Sequence, residues 1–161
     1  MTFNWYIIFL TALIPLVTGF IWYSNMLFGN PWKKASGVDP EKAGGNMALI
    51  FGLTYFFGLL ISASLISIVI HQMHIGSLYQ GDENAMKEGS EMMNFLMANA
   101  DKFRTFKHGA LHGFIASLFF VLPIVGIISL FERKGWKYIM IHSGYWAVTL
   151  MIMGGVICAY F

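Results

Sequence analysis

The stretch His108–Phe131 reads HGALHGFIASLFFVLPIVGIISLF, a run without a single Asp, Glu, Lys or Arg. A helix needs about 20 apolar residues to cross a hydrocarbon core of about 30 Å, so this segment alone is long enough to span a bilayer. Working outward from it, Met1–Trp32, Ala43–Gly81 and Tyr138–Phe161 are equally free of formal charge. All 10 basic and 8 acidic side chains fall in the intervening segments, Lys33–Lys42, Asp82–Lys107 and Glu132–Lys137. One Asp, Lys or Arg at the centre of a span costs about 2.5–3.5 kcal/mol on insertion scales, which gives the pattern its meaning. It predicts an all-α integral membrane bundle of four transmembrane helices, over about 5–27, 47–71, 108–131 and 137–160, with a partly helical middle loop, 72–107.

The 161 residues, 57% hydrophobic and 11% charged, suffice for one such domain and for short connections. Aromatic residues gather near the ends of the spans, at Trp5, Tyr6, Trp22, Tyr23, Trp32, Trp136, Tyr138, Tyr160 and Phe161, where rings sit at headgroup level. A net charge of +2, dispersed over three connections, argues against a nucleic-acid partner. Cys158 stands alone inside an apolar helix and reads as a small buried hydrophobe. The first 32 residues lack the basic n-region and cleavage site of a signal peptide and read as the first span, stopped at Gly29-Asn30-Pro31.

The middle loop is too long to be structureless in a compact chain. Asn84–Arg104 has helix-forming composition, with Met86, Met93 and Met97 at spacings of seven and four and charged residues on the other side. This predicts an amphipathic helix lying at the membrane interface, or a connector extending the third span. Lys and Arg number three in the first connection (Lys33, Lys34, Lys42), three in the third (Arg133, Lys134, Lys137) and four in the longer middle loop. By the positive-inside rule both termini then lie outside, in the periplasm.

Inside the spans the polar residues form stripes. Asn4, Thr11, Thr18 and Asn25 recur every seven residues, and Ser64, Ser67, His71 and His74 lie within about 80° of one another at 100° per residue. Two functions suit such stripes, a polar path lined by Asn4, Thr11, Thr18, Asn25, Ser64 and Ser67, or hydrogen bonding that holds helices together. Gly109, Gly113 and Ser117 make a small-residue seam for close helix packing. Pro15 and Pro123, near the middles of their spans, each remove a backbone hydrogen bond and predict kinks. His71 and His74 end the second span and His108 and His112 begin the third, so all four belong to one membrane face. Their i,i+3 and i,i+4 spacings put each pair on one side of a helix, and neutral imidazole is the commonest protein metal ligand. The set can hold a transition metal or, with one histidine from each pair, a haem; the other reading is structural or interfacial hydrogen bonding, since no carboxylate at fixed spacing and no Cys accompanies the histidines. His142, on the opposite face, reads as packed into the bundle and hydrogen-bonded to a neighbouring helix.

No Gly-x-Ser-x-Gly elbow, P-loop or His-Glu-x-x-His motif is present, and Asp82, Glu83, Glu88 and Glu91 read as a solvated face. The runs Gly19-Phe20-Ile21-Trp22-Tyr23, Phe28-Gly29-Asn30-Pro31-Trp32, Gly45-Asn46-Met47-Ala48, Phe106-Lys107-His108-Gly109-Ala110-Leu111-His112-Gly113 and Gly144-Tyr145-Trp146 with Gly154-Gly155 resemble the bacterial membrane proteins of domain-of-unknown-function family 1761. The resemblance covers nearly the whole chain and implies four transmembrane helices in a bacterial inner membrane. It brings no activity, substrate, cofactor or catalytic residue. The residues therefore lead us to expect a non-enzymatic integral membrane protein, a self-associating bundle or an accessory subunit of a bacterial envelope complex. Its partners are the lipid bilayer and further copies or other membrane proteins. An oligomeric small-solute channel or transporter is the alternative, and a metal- or haem-binding membrane protein the second alternative.

Overall fold

The computed structural model describes residues 3–38 and 46–161. Lys42, used in counting connection charges, and Ala43, Gly44 and Gly45 lie outside the described residues. The described chain is helical with no strand: α1 (Tyr6–Thr11), α2 (Ile14–Trp22), α3 (Gly29–Ser36), α4 (Met47–Val69), a 3-10 helix (His71–Tyr79), α5 (Glu91–Ala98), α6 (Phe106–Ala116), a π-helical turn (Ser117–Val121), α7 (Leu122–Phe131) and α8 (Trp136–Tyr160).

Three helices are long and apolar enough to cross a membrane, namely α4, the continuous rod α6–α7 over Phe106–Phe131, and α8. In their most apolar windows 56% of α8 is buried, against 22% of α4 and 11% of α6–α7. Helix α8 is thus the axis, and the others pack around it with apolar side chains such as Phe119, Leu130 and Phe131 turned outward. Caps begin several helices. The side-chain oxygens of Asn46, Ser90 and Thr105 accept from the backbone N–H of Leu49, Met93 and His108 at 3.2, 3.1 and 3.3 Å, satisfying donors that the first turn leaves free.

The first apolar segment differs from the single 5–27 helix expected. Helical backbone ends at Trp22, and the apolar piece Tyr6–Trp22 is broken into α1 and α2 at Ala12–Leu13. The cause is Pro15, which sits in the first turn of α2 and has no N–H to return to the Thr11 carbonyl. A straight helix of this length rises only about 25 Å. The segment nonetheless runs antiparallel along α8. Asn4 donates through its backbone and side chain to Phe161 O (3.0 Å) and Tyr160 O (2.9 Å) at one end, and Trp22 Nε1 donates to Ile141 O (3.0 Å) at the other. Pro123 has a milder effect. It lies in the first turn of α7, and the preceding π turn, in which Leu122 N–H reaches Ser117 O, absorbs the missing bond without ending the rod.

Two further boundaries move. Helix α4 stops at Val69 and not at His71, because Ile70 is extended (φ −111°, ψ 94°). The middle-loop helix expected over 84–104 is confined to Glu91–Ala98, preceded by turns that include Gly89 at φ +83°. The 3-10 helix before it was not legible in the sequence.

The Gly109–Gly113 seam packs against α8 backbone to backbone. A methyl on Gly109 would overlap the Gly154 carbonyl, and one on Gly113 the Leu150 carbonyl. Gly126, on the same rod, has nothing within 4 Å of an added Cβ. Gly126→Ala is therefore expected to raise stability by up to about 1 kcal/mol through helix propensity. Gly113→Ala should lower it by about 1–3 kcal/mol through overpacking. Unfolding of the purified protein in detergent reads both, and equal shifts would refute the close contact.

Candidate metal centre

Three of the four histidines at this membrane face come together. Ile70 breaks α4, so His71 opens the 3-10 helix and turns toward α6. His108 and His112 stand one helical turn apart on α6, each one residue before a seam glycine. The register is physical: the glycines fix α6 against α8, and residues about 100° round the helix then present their imidazoles to His71. The Nε2 atoms of His71 and His108 lie 2.9 Å apart. Ring centroids are 5.0 Å apart for His71–His108, 4.9 Å for His71–His112 and 4.5 Å for His108–His112. One ring nitrogen from each histidine falls within 4.8 Å of the others.

Tetrahedral zinc–imidazole bonds of 2.0–2.1 Å separate the ligand nitrogens by about 3.3 Å. The closest pair already meets that spacing within a few tenths of an ångström, and rotation of the His112 side chain is the remaining adjustment. Three neutral nitrogen donors leave a fourth position open, and imidazole suits Zn, Cu, Fe and Ni. His71 is exposed and the other two are partly buried, so the site faces out of the bundle. A porphyrin would have to part imidazoles that are in contact, which favours a single ion over haem.

His74 does not join them. Its Nε2 lies 2.5 Å from the Ser67 carbonyl of the last α4 turns, to which it bonds back across the break at Ile70. The other predicted site residues are also separated. Thr11 Oγ1 donates to Ile7 O (2.8 Å) and bonds Ser62 Oγ (3.0 Å), and Thr18 Oγ1 pairs with Thr149 Oγ1 (2.8 Å). Asn25 accepts from Lys33 Nζ at 3.2 Å. Ser64 and Ser67 are exposed and donate to Leu60 O and Ser64 O, within their own helix. Ser117, third member of the seam, is buried at the start of the π turn. His142 Nδ1 meets Tyr23 OH at 2.9 Å, a bond to a neighbouring helix end, and Cys158 is buried and unpaired.

Several supporting residues carried no sequence signal. Phe103 stacks on the His108 ring at 5.2 Å and 22° and has φ +62°, an outlying conformation for a bulky side chain that its surroundings must enforce. Its carbonyl accepts from Thr105 N–H (2.9 Å) and Cys158 Sγ (3.3 Å). Arg104 Nε donates to Cys158 O at 2.9 Å, tying the approach to α6 onto the end of α8. Gln72, buried beside His71, donates through Nε2 to Asn99 O (2.8 Å) and Lys102 O (2.9 Å). A glutamine between two histidines has no motif to announce it, and its role depends on residues 27 to 30 positions away.

The family model described as "Protein of unknown function (DUF1761)" matches residues 6–158, and the chain belongs to that family. No curated protein and no solved structure matches it.

Because Gln72 clamps the segment that carries Phe103, Gln72→Leu should speed amide exchange over residues 99–105 by 10-fold or more, with α8 unchanged. Uniform protection in the variant would show that the clamp is dispensable.

Proposed function

We propose that this DUF1761 protein is a non-enzymatic integral membrane protein that holds one transition-metal ion on His71, His108 and His112 at one face of the bundle. The carrying observation is the convergence of three imidazole nitrogens within 4.8 Å from segments 37 positions apart. Neither other reading has comparable support. The Gly109/Gly113 seam and the Gly154-Gly155 pair, small-residue surfaces that a second copy could pack against, are filled by Leu150, Gly154 and Phe106 of the same chain. The hydroxyls of the proposed path, Thr11 and Thr18, are paired with Ser62 and Thr149, as interhelical hydrogen bonds would be.

In this reading the bundle crosses a bacterial inner membrane four times, the broken α1–α2 segment being the first crossing. The support is its run along α8 from Phe161 to Ile141. Asn4 beside Phe161, and Arg104 beside Cys158, gather both termini and the middle connector at one end. Lys134 Nζ donating to Ser36 O at 2.7 Å gathers the other two connections at the opposite end. In the same reading the histidine face lies outside, which the Lys and Arg count of the connections favours. An ion held by three neutral ligands with one open position suits an accessory subunit that holds metal and passes it to a membrane partner or to another copy.

Metal analysis and calorimetric titration with Zn(II) and Ni(II) of the detergent-purified chain should give about one ion per chain. His108→Ala should weaken binding at least 100-fold, while His74→Ala should leave it unchanged. Undiminished binding by a His71→Ala/His108→Ala variant would overturn the assignment, as would a Soret band without metal uptake.

A further inference from the structure

Immediately beyond His71 the chain builds a second feature that the histidine site does not use. The 3-10 helix and α5 face each other across a cleft of about 580 Å³. Five of the chain's 11 methionines, Met73, Met86, Met92, Met93 and Met97, line it. Gln72 lies between His71 and Met73 and closes the floor of the cleft, where its bonds to Asn99 O and Lys102 O hold the two walls in register. No charged residue is among those lining it. Met93 and Met97 are one helical turn apart on α5, while Met73 comes from the opposite wall. Met92 is buried and acts as packing, whereas Met73, Met86 and Met97 are 44%, 68% and 70% exposed.

Leucine would fill such a wall equally well if apolar bulk were all that was required. Thioether sulfur adds polarizable, neutral, soft donor character, and soft sulfur ligands select Cu(I) over the divalent ions that imidazole also accepts. A cleft lined by thioethers without carboxylates disfavours hard and divalent cations, since it offers no charge and, among its side chains, only the Gln72 amide as an oxygen donor. It suits a monovalent soft one.

We propose that Met73, Met93 and Met97 form a Cu(I)-binding site beside the histidine cluster, making monovalent copper the ion that this face of the protein collects. The inference deepens the metal reading above and rests on it for the onward step, in which copper reaches the imidazoles of His71, His108 and His112. The capture site itself needs only the thioethers. No electron transfer is involved: the ion arrives as Cu(I), exchanges its ligands for thioethers and then for imidazoles, and stays Cu(I).

The test uses full-length protein in detergent, Cu(I) kept reduced and presented as its complex with a chromophoric chelator, and Zn(II) titrated in parallel. The unaltered chain should withdraw Cu(I) from the chelator, and X-ray absorption at the copper edge should contain sulfur scatterers. The near-isosteric triple variant Met73→Leu/Met93→Leu/Met97→Leu should lose Cu(I) affinity at least 10-fold and keep its Zn(II) affinity, which also reports that it is folded. A His71→Ala/His108→Ala variant should lose Zn(II) and retain a sulfur-ligated Cu(I) ion. Equal Cu(I) affinity in the triple variant, or a copper edge without sulfur scatterers in the His71→Ala/His108→Ala variant, would overturn the thioether site and leave the histidine site standing. Loss of neither metal in the histidine variant would instead remove the histidine reading.

Discussion

The rest of the structure depends on the close approach of α6 to α8, where Gly109 and Gly113 meet the carbonyls of Gly154 and Leu150. In a bilayer, lipid tails are as apolar as leucine, so helices gain little from hiding hydrophobic side chains from one another. Association must come from tight packing and interhelical hydrogen bonds. Backbone contact of this kind fixes both rotation and height of α6. Because each histidine of α6 precedes a seam glycine by one residue, the contact that holds the bundle together also aims His108 and His112. A glycine-to-alanine change there should disturb packing and ligand geometry together.

The hydroxyl pairs extend the same logic to the first segment. With its helix broken before Pro15, this segment cannot rely on an uninterrupted rod to hold its place. It is fastened at successive heights instead. Asn4 bonds the chain end, Thr11 bonds Ser62 on α4, Thr18 bonds Thr149 on α8, and Trp22 bonds Ile141. Tyr145 adds a bond from its hydroxyl to the Pro15 carbonyl at 2.8 Å, in the first turn of α2. Gly58 permits this arrangement, since a side chain there would collide with the Ala12 carbonyl.

Charge confinement made legible an all-α chain with helices long and apolar enough to cross a membrane, because the energetic cost of misplaced charge is large and local. The stripe at sevens led to Thr11 and Thr18, but not to Ser62 and Thr149, since a single helix does not reveal which neighbour it meets. Histidine spacing brought out four candidates and could not separate three from one. That separation was made by Ile70, whose extended conformation ends α4 early, so that His71 turns toward α6 while His74 bonds back to the Ser67 carbonyl. Nothing in a run of apolar residues marks where such a break falls. Gln72 and Phe103 were invisible for a related reason: their roles are contacts between residues far apart in the sequence, which spacing along a single helix does not reveal.

The exclusion of formal charge from the helices also bears on what chemistry the protein can support. Carboxylate ligands near a span would carry the insertion cost of an acidic residue whenever the metal is absent. Imidazole and thioether avoid it, because each is neutral as a free ligand and becomes part of a charged centre only when an ion arrives. A site of this composition, at the end of the bundle where water could accompany a cation, would reconcile the proposed metal binding with a bundle whose described helices carry no acidic side chain in the windows long and apolar enough to cross a membrane.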